Sequence, residues 1–88
     1  MENLDCYELL NVEEDDTLIV IFNKCKIYTL SKYKSEDKIL LNAFFQICNE
    51  DRRKDDLKEF LLYLQYKNYN NFREEIEDII NRINYYND

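Results

Sequence analysis

The chain has 88 residues and a formal net charge of −7, and this length fits one small domain that can bury a core of its own. Its 45% hydrophobic and 15% aromatic content lies outside the composition of disordered chains, so the chain should fold. It contains no histidine and no glycine, which excludes imidazole-dependent catalysis and the glycine-rich loops that hold phosphates. We therefore expect a non-enzymatic protein without a cofactor.

The sequence predicts neither a membrane segment nor a metal site. Its longest apolar run, residues 18–22, is far too short to cross a bilayer, and the N-terminal residues lack the basic and then apolar order of a secretion signal. Cys6, Cys25 and Cys48 are odd in number, widely spaced and without a histidine to complete a zinc site. We expect a cytoplasmic protein with reduced cysteines, of which Cys25 and Cys48 face the core.

Charge is distributed unevenly along the chain. Residues 1–22 contain seven acidic and no basic residues, whereas residues 23–38 contain five lysines against Glu36 and Asp37. From residue 55 onward, eight acidic residues face four basic ones. An acidic excess of this size disfavours nucleic acid as a direct partner, because phosphate contacts require basic groups. It is compatible with an acidic surface that imitates nucleic acid, although acidic residues also favour helix starts for electrostatic reasons.

The first two predicted helices are separated by an acidic turn at residues 13–16. Asp5 is a candidate N-cap for a short helix with three apolar side chains, Tyr7, Leu9 and Leu10. Asp16 or Thr17 can cap a second helix. That helix is predicted to carry one apolar stripe at helical spacing: Leu18, Ile21, Phe22, Cys25, Tyr28 or Thr29, and Tyr33. Residues 18–22 would also suit a β-strand, and this alternative stays open.

A new helix is predicted to begin at Ser35, and its start ends the second helix. Serine is a preferred N-cap, and the following Glu36 and Asp37 suit the positive end of a helix. The third helix is expected to run to about Asn49. Its apolar residues surround most of its axis, so it should lie centrally: Leu40, Leu41, Phe44, Phe45, Ile47 and Cys48.

Two further helices are predicted after a polar segment at residues 49–56. The fourth helix has apolar residues at helical spacing, Leu57, Phe60, Leu61 and Leu64. A turn at residues 67–71 ends it, and Asn71 with Glu74 resembles a capping box for the fifth. The fifth helix has one apolar face, formed by Phe72, Ile76, Ile79, Ile80 and Ile83.

The short turn before the fifth helix favours antiparallel packing on the fourth helix of the same chain. Packing on the same helix of a second copy, which would make a homodimer, is the open alternative. The sequence thus predicts an all-α protein with one domain, residues 1–88, built as a small bundle of about five helices.

The first three predicted helices carry a recognisable order of motifs. Residues 5–12 fit a D-x-Y-x-x-L-x-V pattern through Asp5, Tyr7, Leu10 and Val12. Lys32 and Tyr33 follow near the end of the second helix, and a basic cluster follows the third: Asp51, Arg52, Arg53 and Lys54. Over about residues 4–60 this order resembles a J-domain, the module of DnaJ-class co-chaperones. The resemblance implies antiparallel second and third helices and leaves residues 57–87 as a C-terminal helical extension.

The chain departs from the J-domain pattern at its functional turn. A J-domain has a His-Pro-Asp turn that triggers ATP hydrolysis by a DnaK-class chaperone, and this chain has Lys34, Ser35 and Glu36 there. The family's glycine before the valine is Asn11 here, which is tolerable because asparagine accepts left-handed backbone geometry. The resemblance therefore implies a J-like fold that cannot stimulate the chaperone.

Two groups of residues are candidates for binding another protein. The first is a set of lysines that would dock an acidic partner, Lys24, Lys26, Lys32 and Lys34, unless they form an ordinary solvated face. The second is a group of tyrosines, which would either form a binding surface or border a small core: Tyr63 and Tyr66, and with them Tyr69, Tyr85 and Tyr86.

The sequence favours a non-catalytic protein-binding module, in its J-like form an adaptor or decoy that cannot stimulate a chaperone ATPase. We expect another protein as its partner, and neither nucleic acid directly nor a membrane. One alternative is a small acidic viral or phage inhibitor that binds a host protein, in one form as a nucleic-acid mimic. Another is a self-associating helical subunit. Richness in Asn, Lys, Ile and Tyr fits an AT-rich genome such as a virus or parasite has, and a viral protein would act in the host cytoplasm.

Overall fold

The fold is a bundle of α-helices, seen in a computed structural model that describes residues 5–87, without the side chains of residues 79, 80 and 82–87. Its helices are α1 (Cys6–Leu10), α2 (Leu18–Lys24), α3 (Ser35–Cys48), α4 (Lys54–Tyr66) and α5 (Asn70–Asn87). Two 3-10 turns lie at Ile27–Thr29 and Asp51–Arg53. No strand occurs between residues 5 and 87, so the all-α prediction is confirmed and residues 18–22 are helical.

Two helix ends in this glycine-free chain rely on asparagine. Asn11 after α1 and Asn68 after α4 adopt left-handed backbone angles, with φ of 56° and 64°. Asparagine tolerates this geometry better than most residues with a Cβ atom. At the end of α1 the Val12 amide then donates to the Tyr7 carbonyl at 3.0 Å, which satisfies a carbonyl that the helix leaves free. The left-handed geometry expected of Asn11 is confirmed. The predicted turn at residues 67–71 covers only residues 67–69, and the predicted capping box of Asn71 with Glu74 is wrong, because α5 already begins at Asn70 and the Tyr69 carbonyl accepts from the Arg73 amide at 3.0 Å.

The predicted length of the second helix is wrong. Thr17 caps α2 as expected, but the helix ends at Lys24, and Lys26 adopts a left-handed conformation with φ of 51°. This reversal places Ile27 in the core, where its side chain is fully buried. Tyr28 and Tyr33, which the longer helix would have buried, are 41% and 86% exposed. The free energy gained by burying the Ile27 side chain opposes continuation of α2 beyond Lys24.

The third helix begins at Ser35 as predicted, but Ser35 does not cap it. Lys34 is the cap residue, with extended angles, and makes no side-chain cap hydrogen bond. Ser35 is already helical, so its hydroxyl lies one residue too late to accept from the first free amides. The loop is held instead by Asp37, whose carboxylate accepts from the Ser31 amide at 2.9 Å, and by the Ser31 hydroxyl, which accepts from the Tyr33 amide at 3.2 Å.

One core unites the described helices, and Phe22 lies at its aromatic centre. The Phe22 side chain is fully buried. Six rings have centroids within 6.4 Å of its own, those of Tyr28, Phe44, Phe60, Tyr63, Tyr69 and Phe72. Helix α1 packs on α3, and α2 makes its main helix contacts with α4 rather than with α3.

Helix α5 packs on α4 of the same chain, as predicted. Ile76 is 1% exposed, and Phe72 packs against the core from the first turn of α5. The side chains of the other three predicted stripe residues, Ile79, Ile80 and Ile83, lie outside the described residues. The apolar face of α5 is therefore covered by its own chain at least over its first two turns.

The three cysteines are free thiols, as predicted. Cys48 is buried in the core at 2% exposure. Cys25 is half-buried at the end of α2, where its thiol donates to the Leu10 carbonyl at 3.2 Å. Cys6 is also half-buried and donates to the Gln46 side chain.

Candidate protein-binding surface

A buried arginine fixes the start of α2 relative to α4. Arg53 is 4% exposed, and its guanidinium donates to the carbonyl oxygens of Glu14 and Asp16, both at 3.0 Å. It also donates to the Asp56 carboxylate at 2.7 Å. Asp56 in turn accepts from the amide of Leu18, the first residue of α2, at 3.0 Å. A buried charge is tolerated only with partners of this kind, so Arg53 is a structural node.

The Tyr7 hydroxyl joins this node from α1. It donates to a Glu50 carboxylate oxygen at 2.5 Å and accepts from Arg52 at 2.6 Å and from Arg53 at 3.1 Å. Burial raises the pKa of Tyr7 above its usual value, and the hydrogen bond to Glu50 raises it further. The sequence offered no signal for this network, because its parts lie more than forty residues apart.

An acidic depression lies beside the node, with a volume of about 340 Å³. Two distant segments supply its lining: Glu14, Asp15, Asp16, Thr17, Arg52, Arg53, Asp55, Asp56 and Glu59. Within the described part of the chain, no group of three or more carboxylates and thiols is arranged to hold a metal ion. The depression is thus a concentration of surface charge, with Asp56 and the backbone of residue 16 occupied by Arg53.

The four predicted docking lysines all lie on the surface between α2 and α3. Lys24 ends α2, Lys26 is the left-handed residue after it, and Lys32 and Lys34 belong to the loop before α3. All four are exposed, and none forms an ion pair with a described residue. The described arginines, in contrast, all pair with carboxylates: Arg52, Arg53 and Arg73. The lysine charges are therefore available to a partner.

Of the predicted tyrosines, Tyr63 and Tyr66 differ in their surroundings, and the side chains of Tyr85 and Tyr86 lie outside the described residues. Tyr63 is half-buried, its ring lies 6.4 Å from Phe22, and its hydroxyl accepts from the Asn23 side chain at 3.1 Å. It borders the core next to the end of α2, which was the structural alternative. Tyr66 is 79% exposed, and the Lys67 ammonium lies 5.7 Å from its ring centroid.

Two tyrosines that the sequence analysis did not select complete this surface. Tyr28 stacks on Tyr69 of the α4–α5 turn, with centroids 5.8 Å apart and planes inclined by 26°. Tyr33 is exposed, and the Lys32 ammonium lies 5.6 Å from its ring centroid. The sequence signal available was the spacing Lys-x-Lys, which occurs around residue 25 and again around Tyr33. We name the lysine–tyrosine surface by its members: Lys24, Lys26, Lys32, Lys34, Lys67, Tyr28, Tyr33, Tyr63, Tyr66 and Tyr69.

Comparisons with known proteins find no relative of this chain. No family model, no curated protein and no solved structure matches the chain. Among the described helices, none combines the length and the apolar character that crossing a membrane requires.

Proposed function

We propose that this chain is a non-catalytic protein-binding module that docks its partner through the lysine–tyrosine surface. The observation that carries the proposal is the placement of unpaired lysines beside exposed tyrosines in a strongly acidic protein. Residues 17–49 contain five lysines against Glu36 and Asp37, a net charge of +3, so the rest of the chain carries −10. Such segregation steers an acidic partner surface toward one side of the molecule.

The tyrosines supply apolar contact area, which charged side chains alone do not provide. Exposed surface lysines are common and contribute little to affinity by themselves. Tyrosine is enriched in protein interfaces, because its ring buries a large apolar area at low entropic cost while its hydroxyl still bonds to polar groups. Tyr33 and Tyr66 are 86% and 79% exposed, so both rings are free to be covered by a partner.

The state of the thiols supports a non-catalytic role. Burial raises the pKa of Cys6, Cys25 and Cys48 above the usual value, which keeps each of them protonated. Nucleophilic cysteines need the opposite shift, because the thiolate is the reactive form. With no histidine to serve as a base, these thiols act as small apolar and weakly hydrogen-bonding groups.

The test is affinity capture from the cells of origin with matched charge reversals. Lys24→Glu with Lys26→Glu, and Lys32→Glu with Lys34→Glu, should each abolish recovery of a partner that the unaltered chain retains. Lys54→Glu with Lys58→Glu makes the same change of charge on exposed positions of α4 outside the surface, and should retain it. Equal recovery by all variants, or no partner for the unaltered chain, would refute the proposal.

In its J-like form the proposal makes the chain an adaptor or decoy for a DnaK-class chaperone. Its support is the motif order of residues 4–60, together with Lys34, Ser35 and Glu36 where the family has its triggering turn. All three residues are exposed at the start of α3. We expect the chain to leave single-turnover ATP hydrolysis by such a chaperone unchanged, with an intact J-domain as the positive control. Clear acceleration would contradict this form.

The acidic depression favours a second candidate function, inhibition of a protein that normally binds nucleic acid. Glu14, Asp15, Asp55 and Glu59 come from two segments and are exposed around one depression, an arrangement that presents negative charge as a phosphate backbone does. Salt-dependent displacement of DNA from the captured partner would favour this function. If Asp15→Lys with Asp55→Lys left displacement unchanged, the depression would not be responsible.

A further inference from the structure

A groove runs between the 3-10 turn and loop before α3 on one side and the start of α5 on the other. It consists of two depressions of about 280 and 340 Å³ that share Phe72 and Glu75. The first is otherwise lined by Tyr28, Asn68, Tyr69, Asn70 and Asn71. The second is otherwise lined by Leu30, Ser31, Lys32, Tyr33 and Leu41. Because Phe72 and Glu75 line both depressions, the two lie side by side, and a ligand that reaches both must pass over these two side chains.

The walls of the groove suit apolar side chains. Tyr28, Tyr69 and Phe72 present ring surfaces, while Leu30 and Leu41 supply aliphatic ones. Each depression lies at the small end of the size range of ligand pockets, which fits one large side chain rather than a drug-sized molecule. The two together therefore fit two side chains of one partner segment.

Polar groups of the groove suit the backbone of such a segment. Asn70, Asn71 and Glu75 are exposed along the first depression. Side-chain amides both donate and accept hydrogen bonds, and a carboxylate accepts them, so these groups match the amides and carbonyls of an extended peptide.

The lysines at the rim of the groove indicate which charge a ligand of the groove carries. Lys32 lines the second depression, Lys34 lies two residues further along the loop, and neither pairs with a described carboxylate. Single-stranded nucleic acid also combines negative charge with apolar faces. It fits less well, because a nucleic-acid strand carries a phosphate at every nucleotide and needs several basic groups along its path, whereas Lys32 is the one basic residue among those that line the two depressions.

We propose that this groove binds an extended segment of the partner protein in which two apolar or aromatic side chains, two residues apart, are flanked by carboxylates. Alternate side chains of an extended segment point to the same side and so enter the two depressions together. The inference rests on the proposed protein-binding function and adds the chemistry of the partner. The carboxylates pair with Lys32 and Lys34, and this charge complementarity fixes the occupant.

The test is an NMR titration of the isotope-labelled full-length chain with the acetylated heptapeptide Glu-Asp-Phe-Glu-Leu-Asp-Glu. Amide shifts should concentrate at residues 28–33 and 68–75. A peptide with serine in place of Phe and Leu should bind at least about tenfold more weakly, and a peptide with lysine in place of its acids should not bind. Tyr33→Ser and Lys32→Glu should each weaken binding of the first peptide, at least about fivefold.

Matched variants and ligands separate the outcomes. Leu62→Ser and Lys58→Glu change exposed residues of α4 that lie outside both the groove and the lysine–tyrosine surface, and they should leave the affinity unchanged. Equal binding of the serine peptide would refute the groove while leaving charge-based docking on the lysine–tyrosine surface intact. Shifts at the groove with oligothymidine, or on concentrating the chain alone, would make nucleic acid or a second copy the occupant and overturn the inference. So would the absence of groove shifts at about 1 mM heptapeptide.

Discussion

At the residue scale, Arg53 shows how a charged side chain becomes part of a core. It lies in a polar stretch whose sequence predicts only a solvated basic cluster, yet its side chain is 4% exposed. Its partners are two carbonyls in the loop before α2 and a carboxylate one turn along α4. Nothing local in the sequence encodes the two carbonyl contacts, because they join residues nearly forty positions apart. They arise only when α1 and α2 have assembled on α3 and α4.

Replacing Arg53 should destabilise the fold strongly. Arg53→Ala removes the donors for two backbone carbonyls and leaves Asp56 without its cation, a loss of about 3–5 kcal/mol for a broken buried pair. Urea unfolding monitored by circular dichroism measures this loss in the free energy of unfolding. Arg52→Ala is the control, because Arg52 makes similar bonds from a side chain that is 53% exposed, where water replaces them. Equal losses for the two variants would show that Arg53 is not the node.

The pKa of Cys48 predicts a loss of stability at alkaline pH. Burial raises the pKa of this thiol far above its usual value of 9.0, so the folded chain holds a proton that the unfolded chain releases. Stability from this group is complete below about pH 9 and falls as pH rises, by at most about 1.4 kcal/mol per pH unit. The raised pKa of Tyr7 adds a loss of the same sign above about pH 10.

Thermal or urea unfolding between about pH 8 and 10 measures this effect. Cys48→Ala should lower stability at neutral pH, because it removes a buried side chain, but should flatten the decline with pH. Cys6→Ala is the matched control, since Cys6 is only half-buried and its removal should change the slope less. An unchanged slope in Cys48→Ala would assign the alkaline loss to other groups.

At the element scale, local signals predicted where helices begin and tertiary contacts decided where α2 ends. The Asp5 side chain accepts from the Tyr7 amide and that of Thr17 from the Val20 amide, as N-caps do. These hydrogen bonds join residues two or three positions apart, so a local sequence pattern is enough to predict them. The end of α2 depends on Ile27, whose burial against a distant part of the chain outweighs the cost of a left-handed lysine, about 1–2 kcal/mol.

The same contrast applies to the candidate site. The exposed lysines follow from charge and spacing in the sequence, and the structure places all four on the surface. The stacking of Tyr28 on Tyr69 and the groove beside it depend on how the 3-10 turn meets the α4–α5 turn. Periodicity assigned Tyr28 to a buried helical stripe because it had no means to detect the break at Lys26.

Helix α5 should be required for folding. Ile76→Asp places a carboxylate at a position that is 1% exposed within the hydrophobic core, and we expect the chain to unfold. Leu62→Asp makes the same type of change on α4 at 67% exposure and should remain folded. Circular dichroism and light scattering distinguish the two. A folded Ile76→Asp variant would show that α5 is dispensable for the domain.

At the scale of the whole molecule, charge and burial both influence the oligomeric state. The two apolar residues at the start of α5 that would have driven pairing, Phe72 and Ile76, pack within their own chain. A net charge of −7 repels copies from one another. The basic segment and the acidic depression nevertheless offer complementary charges on different parts of each chain, and salt weakens any such attraction.

We therefore predict a monomer near 10.9 kDa by light scattering at about 0.15 M salt, where charges further apart than about 8 Å are largely screened. If weak association appears at low salt, it should be head to tail, because the two complementary patches differ. Lys32→Glu with Lys34→Glu should then abolish it, and Lys54→Glu with Lys58→Glu should not. A dimer that persists at high salt and ignores both double variants would require an apolar contact, and the exposed Leu62 and Tyr66 of α4 would be the first residues to replace. Such a dimer would cover Tyr66 and confine docking of a foreign partner to the part of the lysine–tyrosine surface around Tyr28 and Tyr33.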